Sequence, residues 1–169
     1  MRPLIILCLC LIGAMSVYAA PEPGAPATIQ SLKRFADDPE ALVDAARRFH
    51  LQQQDLSNWD YALAQEQAEN GDLSFQESRN EQIRKRTKNM QEAWEYVLSQ
   101  YSNNPRALNY YGEFWYDFGG DPNKAVTNWK RSAALDQDSG FADNNLGIYY
   151  FHSGSYRSGI SHLQKAMDK

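Results

Sequence analysis

Thiols are nearly absent from this chain of 169 residues, whose two cysteines, Cys8 and Cys10, both lie in the first ten positions. Beyond that point there is nothing to form a disulfide, to bind a metal through sulfur or to attack a substrate as a thiolate. The three histidines do not fill the gap, because His152 and His162 fall on different helices of one hairpin and His50 is remote in sequence. No metal site and no cofactor are expected. A phosphate-cradling glycine loop and a serine nucleophile elbow are also missing, and no enzymatic activity is expected. Alternating β-branched runs of useful length do not occur, which argues against strands. Positive charge is in deficit, since 17 basic residues face 21 acidic ones for a formal net charge of −4, and this makes nucleic acid a poor partner.

What is present begins with an apolar run, Leu4 to Val17, which follows Arg2 and ends in the small pair Ala19-Ala20. That pattern reads as a cleavable export signal over residues 1–19 and implies a periplasmic or secreted protein. The alternative, an uncleaved anchor over residues 3–20, would tie the chain to a membrane. Neither cysteine has the small neighbours wanted for lipid attachment. Downstream of residue 20 no Asn-x-Ser/Thr acceptor occurs, which favours a bacterial envelope over a eukaryotic secretory route.

Residues 20–36 contain Pro21, Pro23, Gly24 and Pro26 and are expected to form an extended, flexible linker. Residues 37–104 then read as N-terminal helices. Pro39, behind Asp37 and Asp38, suits a first helical turn, and Leu42, Ala45, Ala46 and Phe49 recur at helical spacing up to about Gln53. Ser57-Asn58 is positioned to start a second helix that buries Trp59, Ala62, Leu63 and Ala64 and ends at Asn70-Gly71-Asp72. From Leu73 to about Tyr101 no glycine or proline interrupts the chain, so one long helix is expected there, exposed in its first half and buried in its second.

The C-terminal part repeats itself. The segment from Ala107 to Trp115 is echoed by the segment from Ala142 to Tyr150, with Gly112 and Gly147 standing 35 residues apart. Each copy continues through a glycine turn, Gly119-Gly120 or Gly154, into a second amphipathic stretch. Such a period belongs to helical hairpins that cannot bury their apolar faces alone and therefore stack. The expected fold is all-α, a tandem helix-turn-helix solenoid preceded by N-terminal helices, with repeat units at 105–139 and 140–169. Tyr111, Trp115, Phe118, Trp129, Leu146 and Tyr150 follow helical periodicity and are assigned to packing.

These units resemble the tetratricopeptide repeat family. The last one carries Leu146-Gly147, Tyr150, Gly154, Tyr156, Leu163 and Ala166 at the family's positions, with Gly159 where alanine is usual. The preceding one matches through Tyr111-Gly112, Trp115, Gly119, Ala125, Trp129 and Leu135-Asp136, and Ala93 through Pro105 resembles the end of a third, divergent unit. The resemblance implies that the first helix of each unit lines a concave groove, which presents Arg106, Asn109, Glu113, Tyr116 and Asp117 from one unit and Phe141, Asn144, Ile148, Phe151 and His152 from the next. It implies a non-catalytic scaffold that holds a protein or an extended peptide, Asn109 and Asn144 gripping the peptide backbone. With Arg106 the groove's one cation, a basic or neutral peptide suits it better than an acidic tail. Ile160, Leu163 and Met167 are expected to stay uncovered on the last unit, which offers a homodimer or an assembly contact through the C-terminal helix as the alternative function.

Overall fold

The computed structural model describes residues 28–71 and 74–169. Seven α-helices and no strand occur among them, and consecutive helices pack as in a helical-repeat solenoid. The segment expected to be an export signal, residues 1–19, lies outside the described residues. Among the described residues no helix is long and apolar enough to cross a membrane.

Helix α1 (Ile29–Leu32) begins inside the segment expected to be linker. Thr28 and Ser31 close a capping box, a 3-10 turn at Lys33–Phe35 follows, and Leu32 is fully buried. Tyr101 ties the turn down by donating its hydroxyl to the Ala36 carbonyl at 2.5 Å. Residues 28–36 are therefore part of the packed fold rather than a mobile spacer. One leucine and one capping box suffice, a signal too small to stand out beside the prolines.

Helix α2 (Pro39–Glu69) is a single helix of 31 residues, about 46 Å long. Asp38 caps it by accepting from the Glu40 and Ala41 amides, Pro39 occupies the first turn, and Gly71 closes it at φ +83°. The two helices expected here are thus one. Ser57 does not cap a new start, because its hydroxyl donates to the Gln53 carbonyl at 2.9 Å, one turn back along an unbroken helix. Its antiparallel partner is α3 (Ser74–Gln100), also uninterrupted. The apolar positions expected in the first half of α2 and the second half of α3 are buried, including Leu42, Ala45, Ala46, Phe49, Ala93, Trp94 and Val97.

Further out, this hairpin extends past the other helices as a two-helix arm with a polar seam. Trp59, expected inside, is 42% exposed, whereas neighbouring Asp60 is 3% exposed and forms ion pairs with Arg79 and Arg86. The seam of α2 runs through Gln53, Ser57 and Asp60, so the buried stripe follows helical register rather than hydrophobicity.

Two shorter hairpins complete the molecule: α4 (Pro105–Asp117) with α5 (Pro122–Leu135), and α6 (Phe141–His152) with α7 (Tyr156–Met167). Asn104 and Asp121 cap α4 and α5 ahead of prolines, as Asp38 does for α2. Close helix approach within each hairpin depends on glycine: a Cβ on Gly112 would stand 2.4 Å from the Trp129 indole, and one on Gly147 would stand 2.6 Å from Leu163. The first helices α2, α4 and α6 adjoin one another in sequence, and the second helices α3 and α5 each pack against the first helix of the hairpin that follows. One core runs through all three hairpins, with Trp94 and Trp129 in corresponding places.

Candidate functional site

Glu113, at mid-length on α4, joins all three first helices. Its Oε1 accepts from the Asn109 amide at 3.0 Å and from the Asn145 amide of α6 at 3.3 Å, while its Oε2 pairs with Arg47 of α2 at 3.0 Å. Asn145 also donates to Asn109 Oδ1 at 3.0 Å, and the Asn109 carbonyl accepts from the Trp129 indole at 3.2 Å. Arg47 lies 4.4 Å above the Tyr110 ring, so it is held by a face as well as by a charge.

This network alters the roles of the two asparagines expected to grip a ligand. Asn109 is buried and its amide is engaged on both sides, which makes it a brace between helices. Asn144 is exposed, and it is Asn145 that turns inward. Thirty-five-residue spacing pairs Asn109 with Asn144, but the network follows the face of α6 that opposes α4.

Arg106 is likewise engaged. It donates to Asp44 at 2.6 Å and forms a second ion pair with Glu40, both from α2. Although desolvation works against its charge, the hydrogen bonds to Asp44, Glu40 and Tyr110 prevail and raise its pKa. The cation expected to face a ligand instead joins α2 to α4.

Beyond Glu113 the surface opens into a cleft of about 260 Å³, lined by Glu113, Tyr116, Asp117, Trp129, Asn145 and Ile148. Four of these, Glu113, Tyr116, Asp117 and Ile148, belong to the set expected from the sequence. Tyr116 packs against Trp129 at 5.7 Å and Tyr149 at 6.2 Å, and its hydroxyl meets His152 Nδ1 at 3.0 Å, which fixes the ring at the cleft wall. Asp117 is the wall's free carboxylate: among the described residues it forms no ion pair. Desolvation by its surroundings raises its carboxyl above the ordinary range, and the Arg47 charge opposes this.

The other six expected residues lie outside the cleft lining: Arg106 and Asn109 brace the helices and His152 bonds to Tyr116. Phe141 is 75% exposed at the start of α6, Asn144 faces solvent, and Phe151 stacks edge-on against Tyr156 at 5.1 Å. Arg47 was beyond sequence reasoning, because nothing local to α2 shows which later helix it meets. Asn145 stands three residues before Ile148, at a spacing that shares a helix face, and that was a usable signal.

Among the described residues no group of three or more His, Asp or Glu side chains is arranged to hold a metal ion. His162 instead bonds through Nδ1 to Asp143 at 2.7 Å and stacks on Tyr150, while Lys169 takes the other Asp143 oxygen at 2.7 Å. Asp143 is thereby a fastening between α6 and the end of α7; desolvation raises its pKa, but the Lys169 and His162 bonds outweigh this and lower it overall.

No protein-family model matches the chain, and comparison with curated proteins finds no match.

Proposed function

We propose that this protein is an exported, non-catalytic helical-repeat scaffold of the tetratricopeptide type that binds a protein or an extended peptide on the face formed by α2, α4 and α6. The observation carrying this reading is the Glu113 network. It spends three polar side chains and an arginine on fixing the relative placement of three helices around an open cleft, and a preformed concave surface reduces what a ligand loses in ordering its site. Panning a random peptide library against the chain tests it. Selected peptides should lose binding to Asp117→Lys and Ile148→Ser variants, whose changes alter the cleft without touching the brace. Selection of peptides that bind both variants unchanged would refute the groove.

A second reading is favoured by a separate observation. Phe141, Phe151, Tyr156, Ile160 and Met167 are exposed large apolar side chains of the last hairpin, Met167 at 86% and Ile160 at 50% exposure. Leu163 is half-buried against Gly147, so the uncovered set is narrower on that side than expected. In this reading the chain is an assembly subunit that self-associates through its C-terminal repeat. Light scattering over a dilution series separates the two: a dimer that dissociates when Ile160 and Met167 become serine puts function in assembly, and a monomer at all concentrations removes it.

A further inference from the structure

We propose that the cleft between α4 and α6 is a subsite for one cationic side chain, a lysine or arginine of a bound peptide, its charged head on Asp117 and its methylene stem along Tyr116, Trp129 and Ile148. The proposal rests on the peptide-binding reading and narrows it to a ligand chemistry.

Charge accounting around the cleft supplies the first reason. Arg47 is matched to Glu113, and Arg106 is matched to Asp44 and Glu40, so neither remains for an incoming anion. His152 is turned to the Tyr116 hydroxyl. Among the described residues at the cleft, Asp117 is the carboxylate that forms no ion pair, and with Arg47 paired to Glu113 the cleft presents one net negative charge. A carboxylate that has lost part of its hydration without gaining a partner is a receptor for a cation.

Shape supplies the second. The walls next to Asp117 are apolar or aromatic, namely Tyr116, Trp129 and Ile148, and the volume is below the range usual for whole small-molecule ligands. Long basic side chains place methylene groups against such a surface while the head reaches a polar rim. An aspartate or glutamate would meet Asp117 and Glu113 with like charge, and a purely apolar side chain would cover Asp117 without compensating it.

The test uses three capped pentapeptides, Ala-Ala-X-Ala-Ala with X as lysine, norleucine or glutamate, titrated into the isotope-labelled chain at low salt and followed by amide and indole resonances. Lysine is expected to bind about fivefold more tightly than norleucine, the upper range for a partly exposed ion pair, with glutamate weakest. The lysine advantage should vanish in Asp117→Asn, whose exposed position leaves the fold intact by circular dichroism, whereas Ile148→Ala should weaken lysine and norleucine alike. Equal binding of lysine and norleucine at the cleft resonances would overturn the cation subsite and leave the groove reading standing. Lysine preference persisting in Asp117→Asn would overturn the assignment to this carboxylate. Shifts from none of the three peptides would overturn the subsite, and the library selection above would then decide the groove independently.

Discussion

Acid should weaken this fold at a buried ring, that of His50. The ring is 2% exposed, packs edge-on against Trp94, Phe114 and Phe118, and accepts the Trp94 indole N–H at Nδ1 over 3.0 Å. The neutral ring therefore carries its proton on Nε2, an atom with no hydrogen-bond partner among the described residues. Burial first, and the nearby Arg47 charge second, lower its pKa from 6.5 to about 3. The sign follows from linkage. The open chain takes up a proton below pH 6.5 that the folded chain refuses, so the contribution of His50 is complete above that pH and is lost as pH falls toward 3. Each pH unit in that window is worth about 1.4 kcal/mol, so lowering the pH from 7 to 5 should remove about 2 kcal/mol. Urea unfolding followed by far-ultraviolet circular dichroism at pH 7, 6 and 5 measures this directly. His50→Asn supplies the control, since its Oδ1 takes the place of Nδ1 as acceptor for Trp94 but does not titrate: it should be less stable at pH 7 and flatter toward acid. A wild-type loss below about 0.5 kcal/mol over these two pH units, or an equal slope in His50→Asn, would refute the reasoning.

Three further outcomes are expected. Asp60→Ala should destabilise the α2/α3 arm by about 2 kcal/mol, because it removes the buried carboxylate that pairs with both Arg79 and Arg86, whereas Trp59→Ala should change stability by less than about 1 kcal/mol; hydrogen exchange of residues 54–69 would register the contrast. Gly112→Ala should cost about 1–3 kcal/mol in thermal or urea unfolding, because its methyl group meets the rigid Trp129 ring rather than a flexible chain end. Asp117→Asn should leave neutral-pH stability unchanged or raised: a carboxyl with a raised folded pKa adds stability below its ordinary range and loses it as pH rises, so removing the charge cannot harm the fold at pH 7. A clear drop in midpoint for that variant would show that Asp117 has a stabilising partner.

The helices from Pro105 onward were legible because each junction carries its own chemistry. Asn104-Pro105, Asp121-Pro122 and the left-handed Gly120 and Gly154 set starts and stops locally, and the structure uses each of them. The α2/α3 arm was harder to read for the opposite reason. Ser57-Asn58 has the composition of a helix start, yet capping is only one use of a serine hydroxyl, and the bond to Gln53 keeps the helix running. Hydrophobic pattern then pointed to Trp59, while the register set by Ala46, His50 and Gln53 carries Asp60 inward. A polar seam of this kind becomes visible only with Arg79 and Arg86 of the other helix in view. The groove divides in the same way. Tyr116, Asp117 and Ile148 followed from the repeat resemblance, which assigns that face of each first helix to a groove. Asn109 and Arg106 shared that face, but contacts with α2 and α6 changed their work from binding to bracing.

Arg47 connects the groove to the core. Its guanidinium neutralises Glu113 and tempers the desolvation of Asp117 on one side, and its charge adds to the resistance of His50 to protonation three residues along the same helix. Had Arg47 been neutral, Glu113 would stand as a second carboxylate without a cationic partner one turn from Asp117. One arginine therefore leaves a single cleft carboxylate without an ion pair among the described residues. The brace and the cleft are adjacent yet chemically separable: changes at Asp117 and Ile148 alter the proposed binding surface, and changes at Arg47, Asn109 or Glu113 alter the placement of the helices that form it.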